Sequence, residues 1–130
     1  MTLADRLGYV AVIALVGLAG GGAAAGVGPL PTTEVVVGAG SAWVVQAATW
    51  WPLSGDLAAG RSATRSWIGG IAARLGGLAV LAVAAGPTGL ERGTTLLAYA
   101  GAALTFLTLE AIWLHVTGPD LLDAGDETTR

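Results

Sequence analysis

Four long apolar runs, separated by short polar breaks, make up most of the chain. They cover about residues 7–27, 35–51, 66–85 and 94–116, and within each the polar residues are few and isolated. At ~1.5 Å per residue, some twenty residues of helix cross the hydrocarbon core of a bilayer. In lipid only a helix or a closed barrel satisfies every backbone group from within. The pattern therefore predicts four membrane helices. The breaks carry the residues that stop helices: Gly28, Pro29 and Pro31 after the first run, Pro52 after Trp50 and Trp51, Gly86 and Pro87 after the third, and Gly118 and Pro119 after the fourth. A polar loop is expected over 54–65. The expected fold is all-α, an integral membrane four-helix bundle in a single domain, with an acidic tail over 117–130. A signal peptide would also show Arg6, an apolar stretch and then Ala23-Ala24-Ala25, but this run is long for one.

Small residues recur at the four-residue spacing on which membrane helices approach closely. Gly69, Ala73 and Gly77 form such a ridge on the third run, with Gly70 beside it. Gly17 and Gly21, Gly22 and Gly26, and Gly38 and Ala42 form shorter ones. These are the candidate helix-packing positions.

Against this background three polar residues stand out. Arg74 lies eight residues into the third run, roughly 12 Å along its axis. A charge at that depth costs about 2.5–3.5 kcal/mol on insertion scales and faces other helices or snorkels to the interface. Gln46 lies six residues before Pro52, roughly 9 Å deep, and Glu110 lies five residues before His115, roughly 7–8 Å deep. All three fall in the same half of the membrane, so an Arg74–Glu110 pair is geometrically reasonable and would lower the desolvation cost of both charges. Two readings follow. The pair fixes the third and fourth helices, or one charge stays available to a partner. Gln46 reads as an interhelical hydrogen bond and His115 as an interfacial residue.

Composition narrows the function. The chain is 54% hydrophobic and 12% charged, with mean hydropathy +0.70, which excludes a disordered tail and an ordinary soluble enzyme. It has no cysteine, so disulfides, thiol chemistry and zinc–thiolate sites are excluded. The net charge of -3 comes largely from Asp120, Asp123, Asp126 and Glu127, and the absence of a basic patch argues against nucleic acid as a partner. One histidine and no paired carboxylates at metal spacing leave no catalytic set and predict neither metal nor cofactor. Arginine distribution sets the orientation. Arg6, Arg61, Arg65 and Arg130 fall on one side of a four-span chain and Arg92 on the other, which places both termini in the cytoplasm. Tyr9, Trp50, Trp51, Trp67 and Trp113 fall near that same interface, as an aromatic belt would.

A short four-span chain with a Gly/Ala-rich second span, a polar loop, a third span reading Gly70-Ile71-Ala72-Ala73-Arg74 and a hydrophobic fourth span resembles ATP synthase protein I. This is the small membrane protein encoded with bacterial F-type ATP synthases. The resemblance covers roughly residues 7–116 and departs at Ile71, where some members carry an acidic residue. It implies a non-catalytic role in assembling the rotor ring of c subunits, with the c subunit as partner; Mg²⁺ handling has also been proposed for that family. An accessory subunit of another membrane complex and a small oligomeric ion transporter are the competing classes, although no carboxylate stands in the first span. The topology is open to direct test. A reporter fused at Gly89 and one fused at the C-terminus should lie on opposite sides of the membrane, and finding both on the same side would reject the four-span arrangement.

Overall fold

The computed structural model describes residues 2–26 and 32–117. The turn at 28–31 and the acidic tail beyond Thr117 lie outside the described residues. The chain forms α1 (Leu3–Gly26), α2 (Thr32–Ala58), α3 (Thr64–Ala84) and α4 (Arg92–Thr117), with no strand among the described residues. Local signals fix the ends. Thr2 and Asp5 form a reciprocal cap on α1: the Asp5 amide donates to Thr2 Oγ1 at 3.2 Å, and the Thr2 amide donates to Asp5 Oδ2 at 2.9 Å. Glu91 caps α4 by accepting from the Thr94 amide at 2.9 Å, and its hydrogen bonds from Thr94 hold its carboxyl below the usual carboxylate range. After α2 and α3 the chain turns through Gly60 (φ +69°) and Gly89 (φ +77°). In each turn the next amide reaches back five residues: Arg61 donates to the Asp56 carbonyl at 2.8 Å and Leu90 to the Ala85 carbonyl at 3.1 Å.

The polar loop read over 54–65 is shorter than expected, because α2 continues through Pro52 to Ala58. Proline removes one amide from the helix ladder and crowds the preceding turn. The helix nevertheless runs on, and Arg6 of α1 braces it beside the proline. Arg6 Nη2 donates to the Trp51 carbonyl and Arg6 Nε to Ser54 Oγ, both at 2.9 Å, and its guanidinium stacks 4.1 Å from the centre of the Trp51 ring. In the last turn of α2, Asp56 accepts from Ser66 and from Arg61 (3.1 Å from Nε), which hold its carboxyl low and tie the start of α3 to the end of α2.

α2 packs against all three other helices, most extensively against α4, while α1 and α3 each pack on the α2–α4 pair. The core is Tyr9, Ile13, Ala42, Trp50, Leu53, Tyr99 and Phe106. Two members correct the sequence reading. Tyr9 and Trp50 were expected in the interfacial belt, yet both are 0% exposed and their rings meet at 4.1 Å, whereas Trp51 (45%) and Trp67 (53%) face outward. Burial is possible because their polar atoms are satisfied inside: Trp50 Nε1 donates to the Arg6 carbonyl at 3.1 Å and Tyr9 Oη to the Phe106 carbonyl at 3.0 Å.

Three helices, α1, α3 and α4, are long and apolar enough to cross a membrane, over Leu3–Gly20, Thr64–Ala84 and Arg92–Val116. α2 is not among them. It is the helix that packs against all three others, and it carries the buried polar residues Gln46 and Ser54.

α2 and α4 approach most closely at Gly38. A Cβ there would meet the Thr95 carbonyl and lie 2.8 Å from the Ala98 Cβ and 2.9 Å from the Tyr99 amide nitrogen. These are backbone and short side-chain atoms that cannot move aside. Gly38→Ala should therefore destabilise the bundle by about 1–3 kcal/mol through overpacking. Unfolding in mixed micelles would show this as an earlier transition; an unchanged midpoint would mean that the helices separate freely there.

Candidate functional site

Each helix contributes one polar side chain to a single buried cluster: Tyr9 from α1, Gln46 from α2, Arg74 from α3 and Glu110 from α4. Gln46 is the hub. Its Oε1 accepts from Arg74 Nη2 at 2.8 Å and Nε at 3.2 Å. Its Nε2 donates to Tyr9 Oη at 2.8 Å and to Glu110 Oε2. Glu110 Oε2 also accepts from Arg74 Nη2 at 3.0 Å, closing a salt bridge whose two side chains are 10% and 5% exposed. The amide is thus oriented by its neighbours, with oxygen toward the guanidinium and nitrogen toward the carboxylate and the phenol.

The guanidinium reaches this point by folding back along α3 toward the helix start. A Cβ on Gly70 would lie 2.9 Å from Arg74 Nη1, so glycine one turn before the arginine leaves room for that conformation. α4 supplies a second brace. Tyr99 Oη donates to the Arg74 carbonyl at 2.8 Å, and its ring lies over Gly77, where a Cβ would sit 3.1 Å from Cζ. Thr49, one turn from Gln46 on the α3 side, donates to the Gln46 carbonyl at 3.1 Å.

The helix-packing candidates divide. Gly17 lies against Phe106, with a Cβ there 3.5 Å from its Cζ. Gly70 is buried and Gly77 is half-buried. Gly69 and Ala73 are exposed, and nothing lies within 4 Å of a Cβ built on Gly69. Gly69 and Ala73 are therefore not on an internal packing face, whereas Gly77, at the end of the same ridge, packs against Tyr99 and Val45. The face α3 turns inward runs through Gly70 and Arg74, because the buried charge sets the rotation of the helix. The surroundings of Gly21 lie outside the described residues. His115 is exposed in the last turn of α4.

Sequence reasoning missed Tyr9 as a partner of Gln46 and Tyr99 as a partner of the Arg74 backbone. The signal for Tyr9 was present: it stands three residues inside Arg6, at the same membrane level as Gln46. Tyr99 gave none, because its contact is with a backbone carbonyl.

Chemically the cluster is a neutral pair, one guanidinium and one carboxylate, linked by an amide to a phenol. Its evident effect is to hold four helices at one relative height, since sliding any of them by a turn breaks bonds that hydrocarbon cannot replace. Among the described residues no three histidine, aspartate or glutamate side chains group as metal ligands. No family model, no curated protein and no solved structure matches this chain.

Removing one charge strands the other. Arg74→Met should lower stability by about 3–5 kcal/mol, and adding Glu110→Leu should recover part of that loss. A double-mutant cycle by micelle unfolding measures the coupling. Additive losses would show that the two side chains act independently.

Proposed function

We infer that the chain is a non-catalytic, four-span protein of the cytoplasmic membrane, with both termini in the cytoplasm, that aids assembly of a larger membrane complex. Three helices with the length and composition of membrane spans support the membrane placement. α2 completes the fourth span, with its polar residues Gln46 and Ser54 buried inside the bundle. The arginine bias supports the orientation. It agrees with the structure's polarity: the start of α1, the end of α2 and the start of α3 are joined at one end through Arg6, Ser54, Asp56 and Ser66.

The partner this reading names is the c-subunit rotor ring of an F-type ATP synthase, which the resemblance at Gly70–Arg74 implies. The observation that carries it is the position of Arg74. Its guanidinium is held by Gln46 and Glu110 through Nε and Nη2, while Nη1 makes no hydrogen bond among the described residues. A membrane-buried carboxyl on an unassembled hairpin needs a temporary hydrogen-bond partner in lipid, and such a nitrogen can supply one. The second reading is an accessory subunit of another complex. It is favoured by the three internal bonds of Arg74, which serve the bundle with no partner at all.

Co-expression separates the two. With the cognate c subunit, this protein should raise the yield of intact rings on a denaturing gel, and Arg74→Ala should reduce that gain while the protein still inserts. Equal ring yield with and without the protein, and no co-purification of the c subunit, would leave the accessory-subunit reading.

A further inference from the structure

The arginines at the end of the bundle where α1 starts and α2 ends differ in how their charge is met. Arg61 pairs with Asp56 at 3.0 Å, and Arg65 is exposed, with no partner among the described residues. Arg6 is half-buried and held by neutral groups alone. Its Nε rests on Ser54 Oγ and its Nη2 on the Trp51 carbonyl, both at 2.9 Å, and the guanidinium lies 4.1 Å from the centre of the Trp51 ring. No carboxylate of a described residue pairs with it. The neighbouring Asp5 is turned to Thr2 instead. Arg6 Nη1 makes no hydrogen bond to a described residue and is not enclosed. Arg6 is thus a fixed cation with one open nitrogen and no counter-charge.

Charge and surroundings decide what completes it. A partly desolvated cation bonded only to neutral acceptors gains most from an anion. Because two hydrogen bonds and a stacked ring already hold the guanidinium, little side-chain freedom is lost when one binds. Phosphate suits the planar fork of an arginine. The surroundings select its source. Leu3 and Leu7 are exposed on the same turns of α1, and the exposed ring under the guanidinium is Trp51, a residue type that settles at headgroup level. An anion beside such a surface comes with acyl chains attached, and basic pockets between helices on the cytoplasmic side take lipid headgroups.

We propose that Arg6, braced by Ser54 and Trp51, forms a binding site for the phosphate of an anionic phospholipid in the cytoplasmic leaflet, with the phosphate on Nη1. A zwitterionic lipid competes poorly, since its own ammonium already neutralises the phosphate. The proposal rests on the membrane placement and orientation inferred above and not on the assembly role.

The chain has no cysteine, so a single one can be labelled. A fluorophore is placed on Leu3→Cys, beside Arg6, or on Leu97→Cys, exposed near the start of α4 at the opposite end. The full-length protein is reconstituted in phosphatidylcholine vesicles that carry a minor fraction of brominated phosphatidylcholine or brominated phosphatidylglycerol. At Leu3→Cys the phosphatidylglycerol should quench as if enriched about fivefold, the enrichment one arginine supports at an anionic surface. Arg6→Gln should abolish this preference, Arg65→Gln should leave it intact, and Leu97→Cys should show none. If Arg6→Gln loses helicity by circular dichroism, the Arg65→Gln and Leu97→Cys comparisons still decide. Equal quenching by the two lipids at Leu3→Cys overturns the proposal. So does an equal preference at Leu97→Cys, or a loss in Arg65→Gln as large as in Arg6→Gln, which would mean diffuse surface charge. Loss of the preference on adding inorganic phosphate would assign the site to a soluble anion and overturn the lipid source. Brominated phosphatidylcholine alone reports the membrane placement: no quenching by either lipid at either label would reject that placement, a result distinct from equal quenching.

Discussion

A guanidinium inside a membrane bundle must be neutralised and have its N–H groups bonded, and the architecture follows from meeting that need. The positive charge of Arg74 is balanced by Glu110, and Gln46 accepts two of its N–H donors. Gln46 in turn is held by Tyr9, whose hydroxyl closes on a backbone carbonyl of α4. No helix can be withdrawn without leaving a buried polar group unbonded, at a cost of several kcal/mol in an apolar medium. Packing fills the space between helices; the polar cluster fixes their heights and rotations.

This explains why the least membrane-like helix is the central one. α2 carries Gln46, Thr49 and Ser54 and is interrupted by Pro52, features that would be costly against lipid. Turned in toward the other three helices, they become points of attachment. Arg6 braces the helix beside Pro52, and Gly38 lets α4 approach close enough for Tyr99 to reach the Arg74 carbonyl. Polar chemistry inside and apolar surface outside is the inverse of a water-soluble bundle, and it leaves three outer helices whose exposed faces suit lipid or other helices.

Much of this was legible in the chain. The apolar runs marked four helices because backbone groups in lipid must be satisfied within each segment, and depth along each run set Arg74, Gln46 and Glu110 at one level. Gly86 and Pro87 marked the stop after the third run, where α3 ends at Ala84. What the sequence could not decide was azimuth and partner. Gly69 and Ala73 read as a packing ridge, yet they face outward because Arg74 turns the neighbouring face of α3 inward. Tyr9 and Trp50 read as interfacial, yet they are core, since carbonyls from other segments satisfy their polar atoms. Past Pro52, α2 is braced by Arg6, forty-five residues before the Trp51 carbonyl it bonds. Period and composition are local and lie open in one dimension; which side of a helix meets a charge, and which distant carbonyl takes a proton, exist only once the four helices are packed.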